Sequence, residues 1–346
     1  MFKQIFGIVL VLVLIIVRAT SGFSRQNFTI ATHEKKVSNI RLLNCYCDDL
    51  EKLCPFSDAI DLRITNEECA DECKNGQAKY CDIGTGMINQ VCGLRKLTTT
   101  FLPEGVANLG EYPWHVAILQ DNKSNRYKVG AGVLITSNHV LTVAHKVSSI
   151  PQASLVIRIG DTSDYGEDIC RRFDYRVQFM MIHPKFDGNI VNDIALLSLA
   201  SAVPLANNPH INFACLPLEV PKVKRRCWVS GWSEEPYNHL GASIYMKEVD
   251  VPIVDNNECE ARLQTTRLSH NFKLDKKSLI CAGGEPGKDS CSGDGGAPLV
   301  CERTNGQWEV VGLVAGGVSC GQPIPGLYVN VKNYIPWIHE QIANSC

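Results

Sequence analysis

A surplus of charge of either sign is missing from this 346-residue chain, where 34 lysines and arginines face 36 aspartates and glutamates. Nucleic acid and anionic membranes therefore have no electrostatic reason to bind it. Long apolar runs are equally scarce. One lies near the N-terminus, from Ile5 to Val17 and broken only by Gly7, and no later segment is apolar enough to span a bilayer. No C-x-x-C pair occurs, the spacing that structural zinc sites use, so neither metal nor cofactor is expected. Internal repeats, heptads and low-complexity tracts are absent, which excludes solenoids and coiled coils. Helical periodicity is also absent until Val331 to Ala343. There Val331, Tyr334, Ile335, Ile338 and Ile342 recur at helical spacing, and Pro336 suits a first turn.

Cysteine, by contrast, is plentiful: 16 residues, which fits an oxidising compartment and a disulfide framework. Lys3 before the apolar run and Ala19-Thr20-Ser21-Gly22 after it give residues 1–22 the layout of a secretory signal. The expectation is an extracellular protein with no membrane attachment once that signal is removed. Asn27-Phe28-Thr29 and Asn122-Lys123-Ser124 are glycosylation sequons, which suit the same compartment. The rest divides by texture. Residues 23–44 are polar and free of cysteine, a flexible lead-in. Residues 45–81 crowd together Cys45, Cys47, Cys54, Cys69, Cys73 and Cys81, and a segment so small needs covalent cross-links. Residues 82–105 form a polar linker that carries Cys92. From 106 to 346 the chain breaks into short runs rich in β-branched residues and bounded by turn formers. Leu155 to Ile159, Ile194 to Leu199 and Val310 to Val314 are examples, and they read as antiparallel strands.

The most telling stretch is Cys291-Ser292-Gly293-Asp294-Gly295-Gly296-Ala297-Pro298-Leu299-Val300-Cys301. It resembles the active-site loop of chymotrypsin- and trypsin-like serine proteases, C-x-G-D-S-G-G-P-L-V-C, with Gly295 in the place of the nucleophilic serine. Further segments follow in the family's order. Gly110-Glu111-Tyr112-Pro113-Trp114 resembles its first strand, and Leu141-Thr142-Val143-Ala144-His145 its L-T-A-A-H segment. Asn192-Asp193-Ile194-Ala195-Leu196 matches N-D-I-A-L, and Cys227 to Trp232 matches C-x-x-x-G-W. Pro325-Gly326-Leu327-Tyr328 with Ile335-Pro336-Trp337-Ile338 resembles the closing strand and terminal helix. The resemblance implies an all-β body, a chymotrypsin-like double six-stranded antiparallel β-barrel with a C-terminal helix.

It also implies that His145, Asp193 and Gly295 are the remnants of a catalytic triad. A glycine has no oxygen with which to form an acyl-enzyme, and losing the nucleophile of such a protease costs roughly a million-fold in turnover. Ser290 and Ser292 stand at other points of a tight turn, and a displacement of about 1 Å costs on the order of a hundred-fold. The chain is therefore expected not to be an enzyme, with His145 and Asp193 kept as a structural hydrogen bond. The amides of Gly293 and Gly295 outline what is left of an oxyanion hole. Ala315, Gly316 and Gly317 replace the usual S-W-G wall of the specificity pocket, which Gly326 completes. Asp289 matches the carboxylate that gives trypsin-like enzymes their preference for Arg and Lys. It reads either as a guanidinium site or as an inherited loop residue. Phe101-Leu102-Pro103-Glu104 occupies the position of the activating N-terminus and offers no tryptic site before it.

By the same resemblance Cys227 pairs with Cys301, Cys259 with Cys281 and Cys291 with Cys320, while Cys92 tethers to Cys215. The usual bridge beside the catalytic histidine is missing, with Lys146 and Gly130 at its two positions. Cys170 and Cys346 are left to each other or to an intermolecular bond. Cys45-Tyr46-Cys47, Cys54 and Ile60-Asp61-Leu62-Arg63 resemble the C-x-C…C…I-D-x-R pattern of clip domains in inactive protease homologues of arthropod blood. Cys92-Gly93-Leu94-Arg95 resembles their C-G-x-R linker, whereas the spread of Cys69, Cys73 and Cys81 departs from the adjacent cysteines that usually close a clip domain. The resemblance implies a small disulfide-rich clip-like domain and a non-catalytic cofactor in an extracellular proteolytic cascade of arthropod innate immunity. Its partners would be an activating protease and prophenoloxidase, in a haemolymph-like fluid. Cleavage after Arg63, or near Arg95-Lys96, would leave the pieces disulfide-linked and free to oligomerise. Recognition of or adhesion to microbial surfaces, a developmental role and weak residual proteolysis are the alternatives.

Overall fold

The computed structural model describes residues 47–49, 77–79, 92–97, 105–122, 125–161, 172–205, 208–232, 234–235, 238–242 and 246–345. The signal, the lead-in, Asn27, Arg63, Cys170, Cys346 and the segment 101–104 lie outside these residues. So does the cysteine-rich stretch, apart from two short paired strands, β1 (Cys47–Asp49) and β2 (Gln77–Lys79).

Alternating and β-branched runs build two closed antiparallel barrels, each of six strands. The first is made of β3 (His115–Asp121), β4 (Arg126–Leu134), β5 (His139–Thr142), β6 (Leu155–Ile159), β7 (Phe173–Ile182) and β8 (Ala195–Leu199). They close in the order β3-β4-β5-β8-β7-β6. Val116, Ile118, Leu134, Ile157, Leu197 and Leu199 fill the interior, none more than 1% exposed. The chain enters the second barrel at β9 (Arg226–Gly231) and makes a small hairpin of β10 (Glu234–Glu235) and β11 (Asn238–Ala242). It completes the barrel with β12 (Lys247–Val254), β13 (Leu279–Gly283), β14 (Pro298–Glu302), β15 (Trp308–Gly316) and β16 (Pro325–Asn330), in the order β12-β13-β16-β15-β14-β9. Closure leaves neither barrel an unpaired edge.

A larger apolar cluster joins the barrels, with Trp114, Leu141, Ile194, Val300, Trp308 and Ile338 all buried in it. The C-terminal helix runs from Ile335 to Asn344 behind a 3-10 turn, Val331–Tyr334, and Pro336 sits in its first turn. Its far end is tied to the first barrel, where Ser345 Oγ lies 2.9 Å from Nε2 of His139. Ala144–Val147 adds a single helical turn, and another helix, Asn256–Gln264, lies in a stretch without helical periodicity. Only Cys259 and Leu263 are buried along it, so apolar spacing leaves little trace. Its signal is the cap instead: the Asp255 carboxylate accepts from the amides of Asn257 and Glu258. No helix among the described residues is long and apolar enough to cross a membrane.

Candidate functional site

The two barrels meet where the loop leading into β14 lies against β4. The Ala131 amide donates to the Gly295 carbonyl at 2.9 Å, and the Thr142 hydroxyl donates to the Ala131 carbonyl at 2.7 Å. Gly296 adopts a left-handed φ of +86°, and a Cβ there would stand 2.2 Å from the Ala131 oxygen. Only glycine lets the loop approach so closely. The loop is fastened by the Cys291–Cys320 disulfide and by a bond from the Gly296 amide to the Val314 carbonyl. Asp294 is buried within it, accepts from the Cys291 amide at 3.1 Å, and packs directly on Gly231.

His145, in the turn after β5, and Asp193, in the turn before β8, meet beside this junction. The left-handed turn at Asn192, with φ of +55°, aims Asp193 inward, where it is fully buried. Asn192 is itself anchored by the Lys185 carbonyl and the Tyr334 hydroxyl. Asp193 accepts the His145 amide at 2.8 Å, and its other oxygen lies 2.6 Å from Nδ1 of the imidazole. A carboxylate at that distance fixes the proton on Nδ1 and turns Nε2 toward the cleft. Base and orienter are thus assembled.

Residue 295 brings no hydroxyl to them, and its space is occupied. A Cβ placed on Gly295 would lie 2.3 Å from Cε of Lys146, 3.4 Å from its Cδ and 3.3 Å from its Nζ. A Cβ on Gly130 would lie 3.1 Å from Cγ of the same lysine. The alkyl chain of Lys146 therefore runs over a trough floored by two glycines and carries its ammonium into the junction. Sequence reasoning registered Lys146 and Gly130 only as the ends of a missing disulfide. The signal that could have linked them to Gly295 is two side-chain-free positions facing one long cation.

The pocket residues keep an open shape. A Cβ on Gly316 or on Gly317 would touch nothing within 4 Å, while Ala315 is buried. Gly326 packs beside Tyr328, with its Cβ position 3.5 Å from Asp289 Oδ1. Asp289 accepts from the Gly321 amide at 3.2 Å. Burial, with a smaller contribution from the charge of Asp294, raises its carboxyl to about 6, against which the amides of Gly321 and Ser290 work.

Disulfides join Cys227 to Cys301, Cys259 to Cys281 and Cys92 to Cys215. The last ends a strap whose described part, residues 92–97, docks on the barrels through Gly93, Arg95 and Lys96. Gly93 donates to the Phe213 carbonyl and accepts from the Trp308 amide. Arg95 lies 3.9 Å over the ring of Trp308 and 4.9 Å over that of Tyr112, and bonds to Glu111 at 3.2 Å. Lys96 donates to the carbonyls of Leu205 and Ile211. Arg95 is thus held against the barrels by its side chain, while Leu94 and Lys96 on either side of it stay exposed.

A family model described as trypsin matches residues 105–338. The chain is 33% identical over 311 residues to inactive CLIP domain-containing serine protease A8 of Anopheles gambiae, covering 86% of this chain and 79% of that protein. The chain belongs to the trypsin family, among its clip-domain serine protease homologues. This homologue is also 44% identical over 245 residues to inactive CLIP domain-containing serine protease A3 of Aedes aegypti, a match that spans 51% of the mosquito protein. It is 39% identical over 258 residues to phenoloxidase-activating factor 2 of Galleria mellonella, covering 69% of this chain and 83% of the moth protein.

Proposed function

We propose that this protein is a secreted pseudo-protease that acts by binding, as a cofactor in an extracellular proteolytic cascade that ends in phenoloxidase activation. The observation that carries the reading is Gly295 lying under Lys146: the junction has a base and its orienter, but a lysine chain fills the place of the nucleophile. Relatives named inactive, and one named a phenoloxidase-activating factor, support the same direction. A rigid double barrel with an unreactive cleft can hold a partner without cutting it. The four disulfides of the described residues suit an oxidising extracellular fluid, as does a signal over residues 1–22. In this reading residues 45–81 form the clip-like domain, and an upstream protease cuts after Arg63 to expose surface for assembly with an activating protease and prophenoloxidase. The docked strap at Arg95 keeps the barrels attached to the linker afterwards.

The test is a paired assay on the purified full chain, intact and after limited nicking. Hydrolysis of an Arg-containing chromogenic peptide should be absent in both forms. Addition of the nicked form to prophenoloxidase and its activating protease should raise phenoloxidase activity. Peptide hydrolysis that survives removal of the nicking protease, or no effect on phenoloxidase, would overturn the proposal.

A further inference from the structure

Lys146 changes the electrostatics of the junction as well as filling it. Lys146 is half-buried, its ammonium has no hydrogen-bond or ion-pair partner among the described residues, and Nζ lies 3.3 Å from where a Cβ of Gly295 would stand. Gly293 stands exposed in the same loop, and Asp289, at the loop's start, supplies the opposite charge from the floor of an open pocket. The loop thus carries a carboxylate in a recess and, at Gly295, meets an unneutralised cation reaching over from the turn after β5.

We propose that this former reaction centre is a binding site for a free C-terminal arginine or lysine, the chain end left when a trypsin-like protease hydrolyses a peptide bond. The inference rests on the reading of the cleft as a docking site and names the chemistry that docks. The partner's guanidinium or ammonium pairs with Asp289, and its terminal carboxylate pairs with Lys146 through a charge-assisted bond. An uncut segment presents only a neutral carbonyl at that point and must thread past the ammonium, so it gains nothing from Lys146. The reaction that supplies the ligand is hydrolysis after Arg or Lys, which creates the carboxylate. The site thereby separates cut partners from uncut ones, a distinction that an ordinary serine-bearing centre has no cation to make.

The experiment is fluorescence anisotropy at pH 7.5 and low salt, with the full-length protein and three labelled hexapeptides. One ends in arginine as the free acid, one is its C-terminal amide, and one ends in glutamine as the free acid. Thermal melts of Lys146→Met and Asp289→Asn establish that both variants fold. The acid ending in arginine should bind at least about tenfold more tightly than its amide, as loss of a hydrogen bond to a charged group predicts. Lys146→Met should bring the acid down to the affinity of the amide and leave the amide unchanged. Asp289→Asn should remove the preference for arginine over glutamine. Equal binding of acid and amide, a preference that survives in Lys146→Met, or no binding of any peptide at millimolar concentration would overturn the proposal. A protein that ignores the peptides yet stimulates phenoloxidase leaves the cofactor role standing, and peptide binding without stimulation does the reverse.

Discussion

Asp289 offers a sharp test of whether the pocket is a stability cost held in reserve for a ligand. Its carboxyl stands near 6 in the folded chain against an ordinary 3.8, chiefly through burial. Folding therefore favours the protonated form. The stability this group lends is present below pH 3.8 and is lost as the pH climbs toward 6, above which the native state holds an ionised, partly desolvated carboxylate. At about 1.4 kcal/mol per pKa unit the full cost is about 3 kcal/mol, and water entering the open pocket lowers it to about 1–2 kcal/mol. Asp289→Asn keeps an oxygen for the Gly321 amide and removes the titration. In urea titrations at a series of pH values, the variant and the parent should differ little at pH 3.5. Between pH 4 and 6 the variant should gain, reaching a midpoint about 0.5–1 M higher at pH 7.5. Taking the difference between the two curves cancels other shifted carboxyls, such as Asp174, Asp250 and Glu248, which are common to both. A difference that is flat with pH, or a variant that loses stability as pH rises, would refute the desolvation argument.

Other substitutions probe separate parts of the frame. Gly93→Ala places a Cβ 2.3 Å from the Trp308 carbonyl at a left-handed φ of +68°. It should cost about 2–4 kcal/mol in chemical denaturation and loosen the strap. Gly295→Ser should fold within about 1 kcal/mol of the parent, because the far end of Lys146 can swing away. It should still resist labelling by an active-site phosphonate, and labelling at the rate of an active protease would refute the view that more than one atom is missing. Limited trypsinolysis followed by N-terminal sequencing should find the Arg95–Lys96 bond intact until the barrels unfold.

How much was legible beforehand depended on whether the signal was local. The β-branched run Leu155 to Ile159 and the segments around His145 and Asp193 announced strands and a paired base and carboxylate, and those are short-range properties of the chain. The helix Asn256–Gln264 was not legible by periodicity because it buries only two side chains, and its aspartate cap was the one local cue. The stacking of Arg95 on Trp308 and Tyr112 was not legible either, because sequence shows the charge but not the rings beneath it. The meeting of Lys146 with Gly295 was least legible of all. It joins residues from different barrels, and nothing in either neighbourhood refers to the other.

That meeting makes one event of two departures that look independent along the chain. A cysteine pair at positions 130 and 146 would bind β4 to the turn that carries His145, and a serine at 295 would point into the same small volume. With lysine at 146 the cross-link is gone, and the replacement chain needs somewhere to lie. Glycine at 130 removes the Cβ that would press on Cγ, and glycine at 295 removes the one that would stand 2.3 Å from Cε. Each glycine is thus explained by the lysine, and the lysine keeps its extended path only while both glycines remain. Placing serine at 295 alone would push the ammonium out of the junction without adding a cross-link between the two walls. Restoring the disulfide alone would leave a base with no proton to take. The three positions consequently depend on one another, whereas His145 and Asp193 are bonded to each other and the loop keeps its bond from the Ala131 amide to the Gly295 carbonyl whatever side chain stands at 146. A site so arranged carries a fixed cation over the position that holds serine in the family's active-site loop.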